Sequence, residues 1–411
     1  MTRTARSGTL SSGHMQNIVI DKPYVPVPPH RGRIWPAILS LYLPRLLRRK
    51  YGVVEVKCLN AERLAQSIAA GHGVLITPNH CRDEDPLVLG MLSRKVRSPF
   101  FIIASWHLFM QDRMQTFLLR RAGAFSIYRE GIDRAAVNTS VEILETARRP
   151  LVIFPEGHIS RTNDRLNDLM DGTALIARSA AKKRAKLQPP GKVVVHPVAV
   201  RYRFAGDAQA AVASVLDDIE ARLTWRKQER IPLVDRIYRT GGALLALKEL
   251  EYLSEARGGD VATRLTYLID AILVPLEQQW LNGKQDDGVP ARVKRLRSAI
   301  LPDMTKDQIN EEERQKRWTQ LADLYLAQQL FHYPPDYVRS NPTPERLLET
   351  VERFEEDLTD RVRVHGPIHA QITVGEAIEV SPTREGRGGN DPLMEQVESE
   401  LRTMLGLESG S

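Results

Sequence analysis

Hydrophobic residues follow two different rhythms along this chain, and the change of rhythm divides it. Between residues 51 and 206, short apolar runs alternate with amphipathic stretches. Residues 51–59 alternate apolar and polar side chains, as a half-exposed strand does. The apolar run at 73–77, Phe100 to Ala104, the short segment 123–129, the run from Leu151 to Phe154 and the run at 193–200 read as further strands, mostly buried. Residues 61–70, 86–95, 106–122, 132–148 and 171–186 read as helices between them. Strand–helix alternation of this kind predicts an α/β fold: a mixed, mostly parallel sheet flanked by helices. Lys182, Lys183, Arg184 and Lys186 close the last helix, where cations favour the helix dipole.

After residue 206 the texture changes. Residues 207–365 carry Leu, Ile and Val at three- and four-residue spacing, the pattern of packed amphipathic helices. Helices are predicted at 208–223, 232–258, 260–281, 306–332 and 343–361, with Gly258, Gly259, Gly288, Pro334 and Pro335 as punctuation. Residues 369–380 return to extended character, a polar glycine-rich loop follows at 384–390, and 391–405 reads as a terminal helix. The pattern leaves two arrangements open. Either 207–365 is a large all-helical insertion and 366–411 rejoins the first sheet, or the C-terminal part is a separate α+β domain. At 411 residues the chain is long enough for roughly two to three domains.

Polar residues with chemical potential cluster at the predicted strand exits. Asn79, His80, Arg82, Asp83, Glu84 and Asp85 follow the strand at 73–77. On a continuous helix, side chains five positions apart point roughly 140° away from each other and do not meet. At a corner, with His80 in the loop and Asp85 opening the next helix, they do. A carboxylate accepting from one imidazole nitrogen fixes the tautomer and leaves the other to take a proton from a hydroxyl. The alternative is plainer: Asp85 as a helix cap with Pro86 as the first helical residue. A second exit, after Phe154, carries Glu156, Gly157, His158 and Arg161; a third ends in Arg129. For Arg129 the alternative is a surface ion pair with Glu130 or Asp133, and for Glu156 a turn or cap carboxylate. Ligands of open α/β sheets bind at the carboxyl ends of the strands.

The order and spacing of these blocks resemble the glycerolipid acyltransferase family. Its blocks are Asn-His-x4-Asp, Gly-x-x-Phe-Ile-x-Arg, Phe-Pro-Glu-Gly-Thr-Arg-Ser and a Val-Pro-Val strand; here they match 79–85, 123–129, 154–160 and 195–198. The resemblance covers roughly residues 50–205. It implies a catalytic core at 51–206 in which His80 is the general base, Asp85 orients it, and Asn79, Arg129, Glu156, Gly157 and Arg161 serve the substrate. It implies transfer of a fatty acyl group from acyl-CoA or acyl carrier protein to the hydroxyl of a lysoglycerophospholipid, with 1-acylglycerol-3-phosphate as the default acceptor. Glycerol-3-phosphate or another alcohol would need the same chemistry, and a catalytically silent lipid-binding or scaffold protein is the alternative of another class. Retention of both His80 and Asp85 speaks against the last. The chain also departs from the family. His158 and Ile159 stand where the third block has Thr-Arg, an arginine assigned to the acceptor phosphate, so either Arg161 takes that phosphate or the phosphate site differs. Ser126 and Tyr128 flank Ile127 in the second block, and a lysine usual upstream of it is replaced within 104–107. Val374, Gly375, Glu376, Ala377 and Ile378 resemble a family strand that follows the fourth block, which favours the insertion reading of 207–365.

Composition adds less. A net charge of +7 suits an anionic partner, and charge alone does not choose among membrane, acyl donor and nucleic acid; the resemblance selects the first two. Two cysteines make no disulfide framework, so a reducing, cytoplasmic setting is expected. Cys81 beside His80 is read as a small bystander. No segment reaches the roughly 20 apolar residues of a membrane span. Residues 1–30 read as a flexible tail, with no signal-peptide core in the first fourteen. Residues 31–50 hold Trp35, Tyr42, several leucines, five arginines and Lys50 without one acidic residue, a composition that fits a peripheral anchor on a membrane surface or, alternatively, a helix packed on the core. The basic cluster Arg292, Lys294, Arg295 and Arg297 reads as a solvated helix face or a surface for a membrane or carrier. There is no dinucleotide fingerprint, P-loop or zinc-spaced Cys/His set, so no cofactor is implied beyond the acyl donor.

Overall fold

A computed structural model of the protein describes residues 24–407 except 130, 132, 229, 287, 307, 360, 362 and 385–390. Most of the expected 1–30 tail, Glu130, and nearly all of the 384–390 loop lie outside the described residues.

The apolar runs build one sheet: β1 (Val53–Leu59), β2 (Gly73–Pro78), β3 (Phe101–Ser105), β4 (Ala124–Ile127), β5 (Leu151–Val152), β6 (Val193–Phe204), β7 (Ile368–Val374) and β8 (Ile378–Glu379). Their order is β1-β7-β6-β2-β5-β3-β4, with β8 on β6. β2 is parallel to both β5 and β6, and β3 to both β4 and β5. β7 is antiparallel to β6 and parallel to β1. The sheet is mixed and mostly parallel, as the alternation of patterns predicts. A parallel strand covered on both faces reads as a continuous apolar run, and β2 is buried at every position. Its alternate residues feed different cores: Val74 and Ile76 pack with Leu47, Leu64, Leu89 and Leu92 on one face, whereas Leu75 packs with Leu144, Ala177 and Leu401 on the other.

The covering helices are α1 (Ile34–Tyr51), α2 (Ala61–Ala69), α3 (Asp85–Lys95), α4 (Arg113–Ala122), α5 (Arg134–Thr146) and α6 (Gly172–Arg184). Gly73 lets β2 pass against α5: a Cβ there would lie 2.3 Å from the Leu144 carbonyl oxygen. The single helix expected at 106–122 is two pieces, a 3-10 turn at Trp106–Phe109 and α4. Asp112 divides them, its carboxylate accepting the Gln115 N–H at 3.0 Å as an N-cap.

The chain leaves the sheet after Phe204 and re-enters it at Ile368, where β7 slots between β1 and β6. Between these points the described residues hold α7 (Ala208–Arg222), α8 (Leu233–Leu253), α9 (Val261–Leu281), α10 (Val289–Thr305), α11 (Glu311–Phe331), α12 (Tyr337–Ser340) and α13 (Pro344–Thr359). They surround two apolar cores of their own, one through α9, α10 and α11 and one through α7, α12 and α13. α10 falls within the stretch read as helical; Pro290 opens it and Pro302 sits inside it. Its basic cluster is not simply a solvated face: Arg292 bonds Asp270 and Glu277 of α9, and Arg295 bonds Asp286. The extended segment 369–380 is broken at Gly375, whose N–H donates to Pro197, and β8 continues on the other half of β6. α14 (Pro392–Leu405) closes the fold against β6.

Candidate active site

Three loops meet at the carboxyl edge of the parallel strands. The first leaves β2 at Pro78 and turns into α3 at Asp85. The turn brings His80 and Asp85 together: His80 Nδ1 lies 2.8 Å from Asp85 Oδ2. The same oxygen accepts the N–H of Cys81 at 2.8 Å and of Arg82 at 2.9 Å, and Oδ1 accepts the Tyr202 hydroxyl at 2.5 Å. A wholly buried carboxylate with these four donors is fixed in place, and as an acceptor it assigns the Nδ1 hydrogen to its own side. His80 Nε2 has no partner among the described residues. The imidazole stacks on Phe154 with centroids 4.0 Å apart and keeps 15% of its side chain exposed. Asp85 is thus more than a helix cap: its bonds run back into the loop before it.

Glu156, at the exit of β5, braces this loop. One oxygen accepts the His80 N–H at 2.7 Å; the other accepts the N–H and side-chain amide of Asn167 at 3.1 and 2.8 Å. Ser160 N–H donates to the His80 carbonyl at 2.8 Å. Both backbone groups of His80 are therefore held by the β5 loop. Burial pushes the Glu156 carboxyl up to about 7, against the pull of its donors. With these bonds made, its carboxylate faces the loop rather than open space. Asn79 is buried too. Its side-chain amide exchanges two hydrogen bonds with the Val200 backbone, at 3.0 and 2.7 Å, and Asn163 does the same with Tyr202 at 2.7 and 2.6 Å. β2 pairs with β6 only as far as Pro78 and Val198; the two asparagines continue the ladder where backbone pairing has stopped.

The remaining residues spread along the rim. Arg129, exposed after β4, donates to the Gly157 carbonyl at 2.5 Å. Gly157 has φ +72°, a left-handed conformation that favours glycine, and it packs against the Met170 side chain. Arg161 is engaged by both carboxylate oxygens of Glu356 on α13. His158 is half-buried and its ring stacks on His332 at 4.7 Å between centroids. Burial, with Arg129 nearby, holds His158 down to about 4, so it stays neutral. Among the described residues no group of three or more His, Cys, Asp or Glu could hold a metal ion.

A protein-family model described as Acyltransferase matches residues 55–201. Over those residues, about a third of its length, the chain is similar to the acyltransferase family. No curated protein and no solved structure matches it significantly. The match runs from β1 to β6 and takes in every site residue named above except those of the helical region and Tyr202. The chain is an acyltransferase of the group-transferring class whose acyl groups are not aminoacyl.

The acyltransferase loops are clamped from outside the match. α13 presents Arg346, Glu349, Glu352 and Glu356, three to four residues apart and so on one side of the helix. Arg346 bonds Asp164 at 2.7 Å, Glu349 accepts the Asn163 N–H at 3.3 Å, Glu352 bonds Arg82 at 2.9 Å, and Glu356 holds Arg161. A charged helical stripe reads from sequence as a solvated face. The opposite pattern would have corrected this: Leu348, Val351 and Phe354 lie on the α7 core, so the charges between them face the acyltransferase loops.

Proposed function

We propose that this acyltransferase moves a fatty acyl group from acyl-CoA or acyl carrier protein to the hydroxyl of a lysoglycerophospholipid, 1-acylglycerol-3-phosphate foremost, at the cytoplasmic surface of a membrane. One observation carries the reading: His80 is tied through Nδ1 to a saturated, buried Asp85 while Nε2 is left without a partner among the described residues. Nε2 takes the acceptor's proton as the alcohol oxygen attacks the thioester carbonyl. Asp85 stabilises the imidazolium across the Nδ1 bond. The tetrahedral intermediate collapses with cleavage of the C–S bond, and the leaving thiolate recovers the proton from Nε2. Ester and free thiol are the products, with no acyl-enzyme needed. Glu156 and Asn79 act by holding the His80 loop and the end of β2. Arg129 and Arg161 supply cations for the headgroup; a phosphate at Arg161 competes with Glu356 for the fork.

The surface supports a membrane setting. No described helix is long and apolar enough to cross a membrane. α1 buries Leu43 and Leu47 yet leaves Ile34 74%, Leu41 69% and Tyr42 67% exposed, with Arg48, Arg49 and Lys50 in its last turn. Met114 and Phe117 of α4 extend this patch, Phe117 lying 5.7 Å from the Trp35 ring. Exposed apolar residues ringed by cations match an interfacial helix pair. The test of the function is thiol release from acyl-CoA in the presence of a panel of lysolipids, glycerol-3-phosphate and neutral alcohols. The reading expects turnover with a lysophospholipid; wild-type inactivity on every acceptor would reject it.

A further inference from the structure

The helical region outside the family match encloses a cavity of about 570 Å³. Leu245, Leu265, Leu326, Leu330, Phe354 and Leu358 supply much of its wall, from α8, α9, α11 and α13. Arg161 and Thr162, from the same loop whose Ser160 holds the His80 carbonyl, also line it, as does Arg353. Arg353 is 5% exposed, stacks on Tyr333, and donates to the carbonyls of His332 and Gln329; no carboxylate hydrogen-bonds to it among the described residues. Arg165, exposed, stands on the same loop. The acids near these cations are largely engaged: Glu356 by Arg161, Asp357 by the Tyr333 hydroxyl, and Glu349 by Tyr337 and Asn163. A mostly apolar chamber with a buried, weakly compensated guanidinium in its wall fits a molecule with a long apolar body and an anion at one end.

Size and charge narrow the occupant. A methylene needs roughly the volume share of a water molecule, about 30 Å³, so a chain of about 16 carbons takes most of the space. In an acyl thioester the group next to the chain is neutral and the phosphates are remote. In a lysophospholipid a phosphate follows the chain within a glycerol's length. We propose that the cavity binds the single acyl chain of the lysophospholipid acceptor, its phosphate drawn toward Arg353 and Arg161; this deepens, and rests on, the acyl-transfer reading of His80.

The test uses full-length His80→Ala protein, which separates binding from turnover, titrated calorimetrically with 1-palmitoyl lysophosphatidate below its micellar concentration. Saturable one-to-one binding is expected, with none by glycerol-3-phosphate and no competition by palmitoyl-CoA. Ala322→Trp on the α11 wall and Thr350→Trp on the α13 wall, each checked for cooperative unfolding, should weaken binding of the 16-carbon lipid at least tenfold and spare an 8-carbon homologue. Arg353→Gln should weaken the lysophosphatidate but not monopalmitoylglycerol. Unchanged affinity in both tryptophan variants, or displacement by palmitoyl-CoA or palmitate at equal concentration, overturns the proposal. In the otherwise wild-type enzyme, acyl transfer with an unaltered KM in both tryptophan variants would sink the cavity assignment alone, whereas cavity binding without turnover would sink the reaction.

Discussion

Asp85→Asn perturbs the proposed machinery with the least change of shape. Asp85 Oδ2 accepts three hydrogen bonds, and Oδ1 accepts the Tyr202 hydroxyl and, weakly, the Cys81 thiol. An asparagine oxygen in the Oδ2 position keeps all three as neutral bonds, and the Tyr202 hydroxyl can rotate to accept from the new amide. Bonds to a charged acceptor are worth about 1.5–3 kcal/mol and neutral ones about 0.5–1.5, so downgrading three costs roughly 3 kcal/mol of stability. The chain should still fold. The tautomer also survives, since the oxygen still accepts from Nδ1. What is lost is the negative charge that stabilises the imidazolium. A positioned base contributes about 10²–10⁴-fold, and we expect kcat to fall at least 100-fold, about 2.7 kcal/mol at 1.36 kcal/mol per decade. KM should hardly move, because Asp85 reaches no substrate. Tyr202→Phe is the control: it removes a donor and keeps the charge, so it should cost about 1–3 kcal/mol of stability and less than tenfold in kcat. The assay is steady-state thiol release, alongside urea unfolding of each variant. An Asp85→Asn enzyme with wild-type kcat would refute the reasoning, as would a loss that tracks the unfolded fraction.

Other outcomes follow from buried groups and surfaces. Burial raises Glu84 and Glu156 to about 7 and Glu349 to about 8 from an ordinary 4.5, so the folded chain holds these protons longer than the unfolded one and their contribution to stability falls as pH rises through that window. Burial lowers His158, His196 and His332 from 6.5, which raises stability with pH through 6.5 and levels off above it, a smaller effect from there to pH 8 than that of the three carboxyls. The urea midpoint should therefore decline from pH 6.5 to 8, and less steeply in Glu349→Gln; a midpoint that climbs over that range contradicts these assignments. Glu156→Gln keeps an oxygen for the His80 N–H but turns an amide toward the Asn167 donors, costing about 1–3 kcal/mol and lowering kcat up to tenfold; a variant as stable and active as the parent would show that the brace is idle. Leu41→Asp should reduce flotation with anionic vesicles at least tenfold, given about 1.5–3 kcal/mol for a buried leucine, and equal flotation would remove α1 from the membrane contact.

Part of this molecule is legible in its sequence for clear reasons. Strands covered on both faces must be apolar at every position, so β2 and β6 announce themselves, and with them the mixed, mostly parallel sheet. His80 and Asp85 can be paired on paper because a five-residue interval spans a corner and fails on a helix. The duties of Asn79 and Glu156 are harder to read. A lone asparagine or glutamate at a strand exit looks like a ligand contact, and its real partners, the Val200 backbone and the Asn167 amides, depend on where β2 stops pairing and how the β5 loop folds back. Arg161 illustrates the same limit. Its partner Glu356 lies far along the chain on α13, and nothing local in either segment names the other. The extended run at 369–380 breaks because Gly375 donates across to β6, a tertiary contact invisible to periodicity.

Acyl transfer by the single variant His80→Ala, compared with the parent enzyme on labelled acyl-CoA and 1-acylglycerol-3-phosphate, tests the central claim most directly. Loss of at least 100-fold in kcat, with an unfolding midpoint near that of the parent, is the expected result. Diacyl product formed by the variant at the parent's rate would contradict it.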